Sequence, residues 1–171
     1  MTVSIFSTRP EPEPPAAGQE SVWDYPRPPR LEPVERHLVV VLGGETIAET
    51  VRGFRVLETS HPPNYYFPSD DVVPGALDPS AGRSFCEFKG RAQYFSVRSG
   101  DRFELDAAWG YERPSPAFEA ITGHVAFYPA RMDACFVDGT LVTPQEGGFY
   151  GGWITPDVVG PFKGGPGSRG W

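Results

Sequence analysis

The stretch Arg36–Val51, "RHLVVVLGGETIAETV", settles the class of fold. Its first half is β-branched and apolar, which suits a buried strand. Gly43-Gly44 then offers the two positive-φ positions of a tight hairpin turn, and "ETIAETV" returns. Working outward, the same grammar recurs. Gly53 breaks the chain before "FRVLE" (Phe54–Glu58), and Lys89-Gly90 separates "RSFCEF" from "RAQYFSV". Asp138-Gly139 turns "ACFVDGTLV", and "HVAFY" adds a further strand. "RFELDAAW" alternates, with Phe103, Leu105, Ala107 and Trp109 expected on one face. "SPAFEAI" suits one or two helical turns, with Ser115 as cap and Pro116 at the first helical position. These segments make about eight short strands and little helix. Consecutive hairpins in a small chain close on themselves to hide their edges. The expectation is an all-β domain: a small antiparallel barrel or a folded sheet.

The chain has 171 residues, a size for one domain with a substantial core. Twenty glycines and twenty prolines favour turns over long helices. Residues 1–20, proline-rich and acidic, cannot bury enough apolar surface to offset ordering, so a mobile tail is expected there. Residues 21–171 are expected to form the single domain. Trp23 and Tyr25 make an aromatic arm at its start. The glycine- and aromatic-rich stretch from Gly147 to Trp171 makes another at its end, too rich in glycine for a strand, and is expected to wrap the domain.

The net charge of −7 argues against a nucleic-acid polymer or an anionic membrane as partner, while leaving room for a local basic pocket that takes a small anion. No apolar run approaches the roughly 20 residues of a membrane span, and no basic-then-apolar leader is visible. A cytoplasmic location is expected, with Cys86 and Cys135 reduced. There is no C-x-x-C pair, and His37, His61 and His124 are scattered. No metal and no cofactor are expected.

The candidate site starts from "HPPNYYFPSDDV" (His61–Val72). Prolines at both ends make it a rigid connector in this reading. Tyr65 and Tyr66 would wall a pocket for a planar ligand, one ring in and one out, with Asp70 selecting donors at its mouth. Asp70 and Asp71 are adjacent and face opposite ways on an extended backbone. Arg55, if it faces inward, is an anion clamp. Trp109 and Tyr111 form the opposite wall, Tyr94 and Tyr128 add hydroxyls, and Lys89 adds a cation. The alternative for each ring is simple core packing. Cys86, three residues before Lys89, is a candidate nucleophile, and His61 is the histidine best placed to serve it. "GPFKGGPGSRG" lacks the order of a phosphate-binding loop and is expected to be structural.

Six segments together resemble the bacterial DUF427 family, a domain of unknown function: "VWDYPRPP", "HPPNYYFPSDDV", "CEFKGRAQYFSV", "AAWGYERPSP", "HVAFYP" and "FYGGWITPDVVGPFKGGPGSRGW". The resemblance implies a compact β domain related in shape to the Mss4-like β-tent folds, whose relatives bind zinc through paired C-x-x-C knuckles. This chain has no such knuckles. The family sometimes carries a nucleotidyltransferase label. The Gly-Ser element and spaced Asp-x-Asp pair of that chemistry do not occur here.

Three functions follow as expectations. The first is binding of a small polar or planar molecule by Arg55, Tyr65, Tyr66, Asp70, Lys89, Tyr94, Trp109 and Tyr111. The second is an enzyme using Cys86, or an Asp/His pair such as Asp70 with His61, in the same cleft. The third is a protein-interaction module using the proline-rich tail. The sequence leaves a homo-oligomer open.

Overall fold

The computed structural model describes residues 9–171, so the first eight residues of the expected tail lie outside the described residues. In chain order the strands are β1 (Glu20–Ser21), β2 (Arg30–Val34), β3 (Leu38–Leu42), β4 (Glu45–Thr50), β5 (Gly53–Leu57), β6 (Asn64–Pro68), β7 (Leu77–Cys86) and β8 (Gly90–Ser99). They continue as β9 (Arg102–Gly110), β10 (His124–Phe127), β11 (Ala134–Val137), β12 (Thr140–Leu141), β13 (Thr143–Pro144), β14 (Trp153–Ile154) and β15 (Val158–Val159). Helix is confined to four short 3₁₀ segments among the described residues.

Two sheets organise the molecule. One has seven strands in the order β2-β5-β6-β10-β9-β8-β7, all neighbours antiparallel. The other has four, in the order β12-β11-β3-β4. Its two hairpins turn where the sequence places them. Gly43 and Gly44 have φ of 63° and 74°, and Asp138 and Gly139 have 49° and 77°. Those are the positive angles a two-residue turn requires. The outer strands β2 and β7 of the large sheet do not pair with each other, so the architecture is a folded sheet and not a closed barrel.

Leu38, Val40 and Leu42 of the small sheet meet Tyr65, Phe67, Val97 and Phe127 of the large one in the main core. The "NYYF" segment is therefore no connector, which corrects the sequence expectation: β6 lies inside the large sheet, paired with β5 and β10. The prolines bound the strand instead of interrupting it. Pro62 and Pro63 precede it, Pro68 ends it, and every residue between keeps its N–H. Alternation then sends Tyr65 and Phe67 into the core and Tyr66 to the opposite face. Tyr65 and Phe67 pack on Trp153 with ring centroids 5.2 and 6.0 Å apart.

A second correction falls on β9. Phe103 and Leu105 are 48% and 58% exposed, while Ala107, Ala108 and Trp109 are buried. The register jumps between Phe95↔Ala108 and Val97↔Glu104, and Asp106 sits at φ 51°. The bulge leaves Leu105–Ala107 unpaired opposite Ser96 and turns Ala107 into the main core beside Ala108. The pairing beyond it keeps Phe103 on the face of Trp109, but nothing covers that end of the face.

The far face of the large sheet carries a second apolar cluster, which includes Val56, Tyr66, Trp109, Tyr111 and Ala126. Part of it is covered by the 3₁₀ segment Pro116–Ile121 through Phe118 and Ile121. Ser115 stands at the N-cap of that segment with Pro116 at its start, as the sequence suggests, but its side chain makes no capping bond and its hydroxyl donates to the Phe88 carbonyl instead.

The two arms interlock with each other. β1 pairs in parallel with β15, and the Trp23 indole donates to the Pro161 carbonyl at 3.0 Å. Trp23 meets Trp171 edge-on at 5.8 Å. From Arg9 onward the proline-rich stretch also touches the domain. Arg9 lies over Trp23, Glu13 N–H donates to the Gly160 carbonyl, and Gln19 donates to the Pro156 carbonyl. The C-terminal stretch, expected to hold no strand, contains the two-residue β14 and β15. No helix among the described residues is long and apolar enough to cross a membrane.

Candidate functional site

The far face of the large sheet does not pack solid. A hollow of about 300 Å³ opens there, and distant parts of the chain wall it. Val56 and Asn64 come from the cross-strand pair of β5 and β6. Ser84 and Cys86 come from β7, opposite Ala92 and beside Tyr94 of β8. Trp109 and Tyr111 come from β9 and its extension, Tyr128 from just beyond β10, Gln145 from just beyond β13, and the C-terminal stretch supplies Phe149, Tyr150, Gly151 and Lys163. The sheet fixes the first group through alternation. The last group is placed by long-range packing: Gly151 lies so close to Trp109 that a Cβ there would collide with the ring.

The floor is rigid. Trp109 donates its Nε1–H to the Tyr66 hydroxyl at 3.2 Å, and Tyr66 is fully buried beneath it. Trp109 and Tyr128 have centroids 4.6 Å apart, and Tyr66 and Tyr111 6.5 Å. Burial holds the phenols of Tyr66, Tyr111 and Tyr128 above the ordinary tyrosine range, so they remain neutral. Tyr94 donates its hydroxyl to Ser84 Oγ at 2.9 Å.

The polar lining is mostly cationic or neutral. Gln145 Nε2 contacts His61 Nδ1 at 3.2 Å, and because an amide nitrogen only donates, Nδ1 accepts. The ring proton of neutral His61 therefore sits on Nε2, 3.5 Å from Glu58. Burial pushes the His61 pKa down to about 4, aided by Lys163, Arg27 and Lys89 and opposed by Glu58, so the ring is neutral at pH 7. Glu58 pairs with Arg27 at 3.1 Å. Lys163 donates to the Trp171 carbonyl at 3.0 Å, and burial lowers its pKa. Lys89 is 8% exposed and makes no ion pair with any described residue.

Of the residues selected from sequence, His61, Cys86, Lys89, Tyr94, Trp109, Tyr111 and Tyr128 line this one hollow. Tyr66 lies directly under it. Tyr65 faces the other side of the sheet and belongs to the main core. Arg55 does clamp anions, but internal ones: it binds Glu32 through Nε and both carboxylate oxygens of Glu20 through its two terminal nitrogens. Asp70 is exposed on the 3₁₀ turn Ser69–Asp71, away from the hollow. Its neighbour Asp71 is taken by Thr50 and Arg52. No hydrogen bond joins Cys86 to His61 among the described residues. The sequence reading missed Glu58, Asn64, Gln145, Tyr150 and Lys163 as site residues. Asn64 stands inside the very stretch that drew notice, and Lys163 inside the glycine-rich segment read as structural.

The cysteines do not fit a zinc knuckle. Cys135 sits in the main core, where burial raises its thiol pKa, while Cys86 borders the hollow on the other side of the large sheet. Among the described residues no group of three or more His, Cys, Asp and Glu comes together.

No curated protein matches the chain. The sequence profile of a family described as a domain of unknown function (DUF427) matches residues 30–138. That span contains β2 through β11 and most walls of the hollow; Gln145, Tyr150 and Lys163 lie beyond it. With well over half its length matched, from the first strand of the large sheet to the third of the small one, this chain belongs to the DUF427 family.

Proposed function

We propose that this protein binds a small planar, polar molecule in the hollow on the far face of the seven-stranded sheet. One observation carries the reading: rings from three separate parts of the chain, Trp109, Tyr111, Tyr128 and Tyr150, surround open space where a packed interior would interlock. At about 30 Å³ per water in the liquid, the space corresponds to roughly ten waters, enough for one or two fused rings with a substituent. Pockets that take drug-sized ligands run from about 300 to 1,000 Å³, so this hollow stands at the small end of that range. The partner in this reading is a small molecule, not a nucleic-acid polymer.

Thermal-shift titration with benzoate, benzamide, adenine and indole tests the reading, read beside quenching of tryptophan emission. A probe at a hundred times its dissociation constant stabilises the fold by about 2.7 kcal/mol. Silence from every planar probe at millimolar concentration would remove the reading.

Cys86 favours a second reading, an enzyme with a thiol nucleophile, because it is partly exposed and borders the same hollow as Lys89. Alkylation at pH 7 separates the two. Labelling of Cys86 much faster than a free thiol supports catalysis, and labelling at or below that rate supports binding alone. Tail docking gains no support from the structure, where Glu13 and Gln19 already bond the Gly160 and Pro156 carbonyls of the same chain.

A further inference from the structure

Resting on that reading, we infer that the hollow selects a planar carboxylate, with Lys89 as its counter-charge. The inference starts from an imbalance. The chain as a whole carries −7, yet the lining of this hollow runs the other way. Among the described residues Lys89 and Lys163 both border it, His61 is the only histidine there, and Glu58 is its only carboxylate. Glu58 is already matched by Arg27, which stands outside the lining. Lys163 is engaged by the Trp171 carbonyl. Lys89 has neither kind of partner: it is more than nine-tenths buried, borders open space, and no described carboxylate lies within 4.0 Å of its nitrogen.

A buried ammonium without a counter-ion is costly, and proteins either pair it or neutralise it. Among the described residues the pairing group is missing and the space for one is present. The surrounding surface consists of ring faces and edges, so the anion that fits carries a flat apolar body. One free ammonium matches one negative charge. The lining contributes no arginine fork of the kind that favours doubly charged phosphate.

The test compares benzoate, benzamide, acetate and phenyl phosphate on the full chain by isothermal titration, with the wild type and with Lys89→Met. Benzoate is expected to bind at least tenfold more tightly than benzamide, which has the ring without the charge. Acetate, which has the charge without the ring, is expected to bind at least tenfold more weakly than benzoate. Lys89→Met is expected to weaken benzoate by about ten- to a hundredfold and to leave benzamide unchanged. The free variant is expected to melt no lower than the wild type, because removing an unpaired buried charge does not destabilise. Equal binding of benzoate and benzamide overturns the charge assignment and leaves the planar reading standing. Equal binding of acetate and benzoate does the reverse. Tighter binding of phenyl phosphate than benzoate overturns the carboxylate assignment, and a Lys89→Met variant that melts much lower assigns Lys89 a structural role and overturns it too.

Discussion

The indole of Trp109 donates to the hydroxyl of Tyr66 at 3.2 Å across an edge-to-face contact whose ring centroids lie 6.3 Å apart. One residue belongs to β9 and the other to β6, with β10 between them in the sheet. The bond therefore bridges over a strand and fixes the floor of the hollow from beneath.

Tyr66→Phe tests that bond alone. It keeps the ring and strands the buried Trp109 donor, which costs about 1–2 kcal/mol. Tyr66→Ala removes the ring as well and costs about 3–5 kcal/mol. Urea unfolding of both variants checks the pair of values. A Phe variant as stable as the wild type would mean that Trp109 reaches another acceptor and that the floor is not set by Tyr66.

His61 makes stability depend on pH in a defined window. Its pKa falls from 6.5 to about 4 on folding, chiefly through burial. Below pH 6.5 the unfolded chain takes up a proton that the folded chain refuses until about pH 4. The unfolded state then binds more protons, so stability is complete above pH 6.5 and declines as the pH falls towards 4. At pH 5 the loss is on the order of 2 kcal/mol. Carboxylates held below their ordinary range, such as Asp71 and Asp133, lose their contribution at lower pH. Urea midpoints at pH 7, 6 and 5 for the wild type and His61→Gln separate the effects. The wild type is expected to decline over this range and the variant to stay nearly level; parallel declines would show that His61 is not the group responsible.

Arg55 explains both a success and a failure of reading from sequence. Its guanidinium is an anion clamp, as its chemistry suggests, but its anions are Glu20 and Glu32 of the same chain. Residue type was legible; partner was not, because Glu20 reaches Arg55 only once the arm has folded back. The same division runs through the molecule. Gly43-Gly44 and Asp138-Gly139 announced their hairpins, since a positive φ is a local demand. The strand Asn64–Pro68 was hidden because proline breaks a strand only where its missing N–H is needed, and here it stands at the ends. Phe103 and Leu105 were misread as half-buried because a period of two marks which face a side chain takes and not whether anything covers that face, and only the Trp109 end of it is covered. Gln145, Tyr150 and Lys163 reach the hollow through tertiary packing alone, and no local pattern marks them.

The arm itself yields a prediction. Arg55 is only 16% exposed and holds Glu20 just ahead of Trp23. Arg55→Met should cost about 1 kcal/mol, chiefly by leaving the partly buried Glu32 without its Arg55 bond, since Glu20 is exposed. It should also raise hydrogen exchange across residues 20–25, with β8 and β9 unchanged. Benzoate affinity should hold, because Arg55 does not border the hollow. Affinity lost together with arm protection would place the arm in the site and contradict the geometry.

Gly151 is the point where the C-terminal stretch closes on the hollow. A Cβ there would meet the Trp109 ring and come within 3.3 Å of Tyr128. Trp109 cannot step aside cheaply, since Tyr66 holds its indole N–H and Tyr128 packs against its face. The φ of Gly151 is not one that only glycine adopts, so the obstacle is the ring and not the backbone. Gly151→Ala should therefore destabilise by about 1–3 kcal/mol, the cost of overpacking. It should also shift tryptophan emission and weaken benzoate binding as the stretch lifts. Gly148→Ala, with nothing within 4 Å of its Cβ, is the control and should stay within about 0.5 kcal/mol of the wild type. Indistinguishable melting and emission for the two variants would show that the C-terminal stretch does not close over Trp109, and the hollow would lose its outer wall.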